Sequence, residues 1–197
     1  MADIPRTEDI APGEPIAPDA GASPSAPAVI FRKDYRPPDW LSPKVALDFD
    51  LGVEATKVRA TLTLQRNGEH DRPIRLDTDG TLPERLTIDG EAANWRVENG
   101  QLLVDCAASA VELVMDCTVE PDRNTQLMGL YASNGMLCTQ CEAEGFRRIV
   151  PFVDRPDNLA VYTVTMTGDA ALFPILLSNG ELVETGDAGE GRHFARW

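Results

Sequence analysis

The sequence predicts an all-β protein: an antiparallel β-sandwich or saddle-like pair of sheets, with one short helix and a disordered N-terminal tail. Three observations carry that expectation. Apolar residues recur at every second position in many runs from Lys44 onward, Asn-Gly and Asp-Gly dipeptides separate those runs, and helical spacing is scarce. An alternating run reads as a strand with one face on a core and one in water, because successive side chains point to opposite faces.

The first 29 residues hold Pro5, Pro12, Pro15, Pro18, Pro24 and Pro27, seven alanines, and five acidic residues against Arg6. Such a segment buries too little apolar surface to offset its ordering entropy, so residues 1–29 are expected to be a disordered extension and residues 30–197 a single domain. Val45, Leu47, Phe49 and Leu51 alternate with Ala46, Asp48 and Asp50. Val58, Ala60, Leu62 and Leu64 do the same against Lys57, Arg59, Thr61 and Thr63. Shorter alternations follow at Ile74 with Leu76 and Leu86 with Ile88, then Val111-Leu113-Met115-Cys117-Val119 and Tyr162-Val164-Met166. Asn67-Gly68, Asp79-Gly80, Asp89-Gly90, Asn99-Gly100, Asn134-Gly135 and Asn179-Gly180 supply residues that tolerate positive φ, which tight hairpin turns demand. The one helical candidate runs from about Glu144 to Phe152, limited by Pro151 and Pro156.

The chain has 197 residues, with 18 Lys and Arg against 32 Asp and Glu, a formal charge of −14. That length supports a core burying roughly two-thirds of the unfolded surface, so disulfide staples are not needed. The charge repels phosphate backbones and anionic lipid heads, and no Lys/Arg cluster offsets it; neither nucleic acid nor a membrane is an expected partner. No stretch reaches the 18 apolar residues of a spanning helix, and the N-terminus lacks the pattern of a secretion signal, so a cytoplasmic location is expected. Reduced thiols are then expected at Cys106, Cys117, Cys138 and Cys141.

The two histidines, His70 and His193, are too far apart in sequence to form H-E-x-x-H, which needs both on one helical face, and each reads as a surface or locally hydrogen-bonded residue. Cys138 and Cys141 have C-x-x-C spacing, which suits zinc or redox chemistry. Cys106 and Cys117 do not complete a zinc set, however, and the surroundings are strand-like rather than βαβ. There is no G-x-S-x-G and no phosphate-binding glycine loop.

The unusual stretch is Leu137-Cys138-Thr139-Gln140-Cys141-Glu142-Ala143-Glu144-Gly145-Phe146-Arg147-Arg148-Ile149, continuing to Asp154-Arg155-Pro156-Asp157. With Asp34-Tyr35-Arg36-Pro37-Pro38-Asp39, Gly129-Leu130-Tyr131 and Phe173-Pro174-Ile175-Leu176-Leu177-Ser178-Asn179-Gly180, it resembles the N-terminal domain of the bacterial aminopeptidase N (alanyl aminopeptidase) family of zinc metallopeptidases. The resemblance runs in order from about Arg32 to Trp197. It implies a β-rich saddle packed against a separate thermolysin-like catalytic domain, with a peptide N-terminus as substrate. It further implies that Glu142 holds the substrate α-amino group and that Gln140 lines the pocket for the first side chain. Such a role is chemically apt: a carboxylate in a partly desolvated cleft pairs with a compact ammonium through charge-assisted hydrogen bonds.

By its chemistry alone Glu144 competes with Glu142. The family pattern favours Glu142, while Glu144 is expected to begin the short helix, where an acid suits the dipole. Arg147, Arg148, Asp154, Arg155 and Asp157 are expected in surface or inter-domain ion pairs. The chain contains neither the family's G-A-M-E-N motif nor its H-E-x-x-H helix, so the resemblance places zinc in the complete family enzyme and none in this chain, which alone is expected to be inactive. The alternative is a free-standing, catalytically inactive β-sandwich that binds a protein partner; an in-frame H-E-x-x-H beyond codon 197 would distinguish the two.

Overall fold

The computed structural model describes residues 31–197, so the extension expected over residues 1–29 lies outside the described residues. The chain divides into Met1–Tyr35 and Arg36–Trp197. Of the first unit the described part holds one 3-10 turn, Arg32–Asp34.

Thirteen strands build the second unit. In chain order they are β1 (Trp40–Asp50), β2 (Thr56–Arg66), β3 (Ile74–Asp77), β4 (Arg85–Ile88), β5 (Glu91–Ala92), β6 (Trp95–Glu98) and β7 (Gln101–Val104). There follow β8 (Ala110–Val119), β9 (Gly129–Ser133), β10 (Met136–Gln140), β11 (Val161–Asp169), β12 (Glu184–Gly189) and β13 (Arg192–Arg196). They form an eight-stranded sheet in the order β12-β13-β11-β1-β2-β8-β4-β5, a three-stranded sheet β3-β7-β6, and the ribbon β9-β10. The all-β expectation holds.

The core follows the period-two pattern. Val45, Leu47 and Phe49 of β1, Val58, Ala60, Leu62 and Leu64 of β2, and Val111, Leu113, Met115, Cys117 and Val119 of β8 are buried in one cluster. Ile74, Leu76, Leu102 and Val104 of the small sheet join it, as do Ile149, Val150, Phe152 and Val153. The segment after β10 is therefore anchored in the same core as both sheets, a tie worth several kcal/mol at roughly 1.5–3 kcal/mol per buried large side chain.

Three expected turns close two-residue hairpins. Asp89-Gly90, Asn99-Gly100 and Asn134-Gly135 connect β4-β5, β6-β7 and β9-β10 with both residues at positive φ, the geometry that matches strand twist. Asn67-Gly68, Asp79-Gly80 and Asn179-Gly180 lie instead in longer connections.

Two features depart from the sequence expectation. The pairing of β1 with β11 is parallel, Lys44 opposite Val161 through Asp50 opposite Thr167. A parallel neighbour needs a long crossover, and the chain from β2 to β10 supplies it. The helix expected from Glu144 to Phe152 is only a 3-10 turn over Phe146–Arg148. Carbonyls that a helix would use are taken elsewhere: Arg147 O accepts from the Asp79 N–H at 3.4 Å and Arg148 O from the Thr81 hydroxyl at 2.6 Å. Beyond Pro151, Phe152 exchanges two main-chain hydrogen bonds with Asp77 of β3, at 2.7 and 3.1 Å. Among the described residues no helix is long and apolar enough to cross a membrane.

Candidate functional site

The ribbon β9-β10 ends at Gln140, and the chain then folds back on itself. Gly145 N–H donates to Cys141 O at 2.8 Å, and a Cβ on Gly145 would lie 2.5 Å from Gln140 O and 2.8 Å from Cys141 Cα. Only glycine fits that approach. On the other strand Gly129, at φ +75°, leaves no room for a Cβ beside Arg148 Cβ, which would be 2.7 Å away. Two glycines thus let the return turn lie flat on the ribbon end. Below it Phe146 meets Phe152 edge to face at 4.8 Å and Tyr162 at 6.0 Å, an arrangement favoured by ring quadrupoles.

Charge pairing holds the segment from the side. Arg147 Nε and main-chain N–H donate to Asp154 Oδ2 at 2.9 and 3.2 Å, and its outer nitrogen donates to Asp154 O at 3.0 Å. Burial opposes the Arg147 charge, yet the Asp154 hydrogen bond and the nearby Asp77, Asp154 and Glu144 carboxylates hold its pKa above the ordinary value. Arg148 pairs with Asp79 at 2.7 Å and Arg155 with Asp157 at 2.7 Å. Buried Asn158 bridges to β1: its amide donates to Val153 O at 2.9 Å and its oxygen accepts from Ser42 N–H at 2.8 Å, at the β1 bulge.

Gln140 and Glu142 are both exposed on this scaffold, and the Gln140 side-chain amide approaches Glu142 O at 3.5 Å. Glu144, also exposed, pairs with Arg147 at 3.6 Å and lines a cleft of about 440 Å³ with Arg75, Asp77 and Asp154. Glu142 makes no ion pair. Among the described residues it is the one charged side chain of positions 142–157 without such a partner. The two acids that compete by chemistry alone therefore differ in the structure, Glu144 paired and Glu142 not.

The remaining candidates are occupied otherwise. His70 Nε2 donates to Asp39 O at 2.8 Å while Nδ1 accepts from Arg72 N–H at 3.2 Å, and His193 Nε2 bonds Phe173 O at 2.7 Å. All four cysteines are free. Burial, then the Asp154 charge, pushes the Cys141 thiol up to about 11, and burial pushes Cys117 to about 12, so neither is a ready thiolate. Among the described residues no three His, Cys, Asp or Glu side chains gather to hold a metal ion.

Glu142 thus stands exposed and without an ion pair just beyond the end of β10, on a segment clamped to the core. Residues 44–197 match the family described as Peptidase M1 N-terminal domain, and the chain belongs to it. It is 39% identical over 172 residues to aminopeptidase N of Escherichia coli strain K12 and 40% identical over 174 residues to aminopeptidase N of Caulobacter vibrioides. Each match covers 87% of this chain and 20% of the relative, so the chain spans about a fifth of their length. The fold matches Legionella pneumophila aminopeptidase A in complex with aspartic acid, with TM-score 0.77 and 28% identity over 84% of this chain and 20% of that one. The M1 zinc metallopeptidase of Deinococcus radiodurans shares the fold at TM-score 0.67 and 18% identity, over 81% of this chain and 38% of that one.

Proposed function

We propose that this chain acts as the N-terminal domain of a zinc aminopeptidase that removes N-terminal residues from peptides, in which Glu142 holds the substrate α-ammonium and Gln140 borders the first side chain. The observation that carries the reading is the free Glu142 carboxylate, left exposed where every other charge of its segment is paired. An ammonium with three donors suits a carboxylate whose acceptors are not already used. Fixing the amine measures from the chain end, so the first peptide bond is the one brought to the reacting centre. Zinc, as in the M1 metallopeptidases that share the fold, would be held by a catalytic portion outside these residues, since the described residues offer no ligand set.

The exposed apolar side chains between positions 159 and 183 support a partner of that kind. Leu159, Val161, Leu172, Ile175, Leu177 and Val183 are all exposed, Ile175 at 79% and Leu177 at 74%. Large exposed apolar groups concentrated in one part of a chain mark a surface that another body covers. The catalytic portion of the longer relatives is the occupant we assign, in a cytoplasmic enzyme.

The test uses a chimera in which this chain replaces the matching fifth of the E. coli relative. Glu142→Gln keeps the shape and removes the charge. A lost charge-assisted contact of roughly 1.5–3 kcal/mol lowers kcat/KM about ten- to a hundredfold for free-amine substrates, with zinc content unchanged and a much smaller loss for a substrate with a blocked amine. Equal losses for both substrates would overturn the assignment.

A further inference from the structure

Four Asn-Gly dipeptides stand in the chain: Asn67-Gly68, Asn99-Gly100, Asn134-Gly135 and Asn179-Gly180. The dipeptide is chemically labile, because a glycine carries no side chain to keep its main-chain nitrogen from the asparagine side-chain carbonyl. The fold holds three of the four away from that approach. Asn99 and Asn134, at φ +51° and +49°, lead two-residue hairpin turns behind the closing pairs Glu98/Gln101 and Ser133/Met136. Rotating either asparagine until its side chain lies over the next nitrogen undoes the turn. Asn67 is tied twice, its side-chain amide donating to Pro38 O at 2.8 Å and its main-chain N–H to Asp39 O at 2.8 Å. Asn179 differs on each count. It lies exposed in the irregular connection between β11 and β12, is not a positive-φ residue, and neither it nor Gly180 has a hydrogen-bond partner among the described residues. A Cβ on Gly180 would meet nothing within 4 Å, so the space beside it is open.

We infer that Asn179 is a self-modification site, where the side-chain amide converts to aspartate and isoaspartate without an enzyme. Hydroxide takes the Gly180 N–H proton, and the nitrogen attacks the Asn179 side-chain carbonyl carbon. The new carbon–nitrogen bond closes a succinimide ring, and the amide's own carbon–nitrogen bond breaks, releasing ammonia with a proton taken from water. Water then opens the ring: at the side-chain carbonyl it leaves aspartate, and at the main-chain carbonyl it leaves isoaspartate, with an extra carbon in the main chain. Either product adds a carboxylate to the loop that carries exposed Ile175, Leu177, Leu182 and Val183. The consequence rests on the reading of that surface as the one the catalytic portion covers: a charge that must be desolvated there opposes docking, and docking in turn shields Asn179 from water.

The experiment holds the 197-residue chain at mildly alkaline pH, folded and in urea, and follows each Asn-Gly by peptide mass spectrometry with fragmentation and isoaspartate by enzymatic methylation. In urea, where the turns are gone, the four are expected to convert at comparable rates. In the folded chain, opening a closing pair forfeits at least one net hydrogen bond, so Asn99 and Asn134 are expected to convert at least about fivefold more slowly than Asn179. The Asn179 rate is expected to rise with hydroxide concentration, as attack by a deprotonated nitrogen requires, and Asn179→Gln, which would have to close a larger ring, is expected to remove the signal from this position. Conversion of Asn179 in the folded chain no faster than that of Asn99 and Asn134 overturns the inference. In the chimera, conversion at Asn179 is expected to slow. An unchanged rate there, with Asn179 still outrunning the other sites in the isolated chain, overturns the docking reading and leaves the modification site intact.

Discussion

Arg147 and Asp154 are joined three ways, through the guanidinium Nε, the main-chain N–H and the outer guanidinium nitrogen, the last reaching the Asp154 carbonyl. The two residues close the segment that follows Glu142 into a loop whose interior is the buried run Ile149, Val150, Phe152 and Val153. Both side chains are largely shielded, at 20% and 11% exposure, so their contact is screened far less than the surface pairs around it.

Asp154→Ala strands the Arg147 guanidinium and one main-chain N–H. The expected cost is about 2–4 kcal/mol in urea unfolding, because removing one partner of a shielded pair leaves the other's desolvation uncompensated. Glu144→Ala, which ends a 3.6 Å pair with an acid 70% exposed, is expected to cost under about 0.5 kcal/mol. Comparable losses would show that the network, not the Asp154 contact, holds the loop.

Gly145→Ala forces a Cβ against Gln140 O and Cys141 Cα. Neither neighbour is a flexible side-chain end, so the turn must move, at roughly 1–3 kcal/mol. Gln140 and Glu142 move with it: in the chimera kcat/KM is expected to fall for free-amine substrates even at temperatures where the variant is fully folded. A folded variant with unchanged kcat/KM would show that the turn does not position the acid.

Alkaline pH is expected to destabilise the domain. The thiols of Cys141, at about 11, and Cys117, at about 12, lie above the ordinary value of 9.0 because burial disfavours the thiolate. Below pH 9 both are neutral folded or unfolded, and nothing is lost. Between pH 9 and 11 the unfolded chain releases protons that the folded chain retains, so unfolding free energy falls by up to about 1.4 kcal/mol per pH unit per thiol. Urea midpoints from pH 8 to 10.5 follow this, and Cys141→Ala is expected to lessen the slope; an unchanged slope refutes the contribution of Cys141.

Ile175→Asp with Leu177→Asp places charges on side chains that bury little in this domain. The isolated chain is expected to become more soluble with an unchanged urea midpoint. In the chimera the same pair is expected to weaken docking against the catalytic portion, read as an earlier thermal transition or faster proteolysis between the two parts. A lowered midpoint in the isolated chain would place these residues in the domain's own packing.

Much of the architecture is local and was legible in the sequence. Period-two runs put Leu47, Leu62 and Leu113 in the core because a strand shows alternate side chains to alternate faces, and the two-residue turns at Asp89, Asn99 and Asn134 follow from residues that accept positive φ. The hairpin β12-β13, turning at Glu190-Gly191, was not legible; its strand Glu184–Gly189 has no apolar alternation because it is an exposed sheet edge. The C-T-Q-C-E-A-E-G-F-R stretch marked the segment of interest, but its chemistry depended on partners that chain proximity does not specify. The parallel β1-β11 pair and the diversion of Arg147 and Arg148 carbonyls to Asp79 and Thr81 join residues from different parts of the chain. Strand and turn preferences are set by each residue's own backbone and its immediate neighbours. Which strands become neighbours, and which carbonyls a turn can keep for itself, is decided only when segments distant in sequence compete for the same hydrogen bonds.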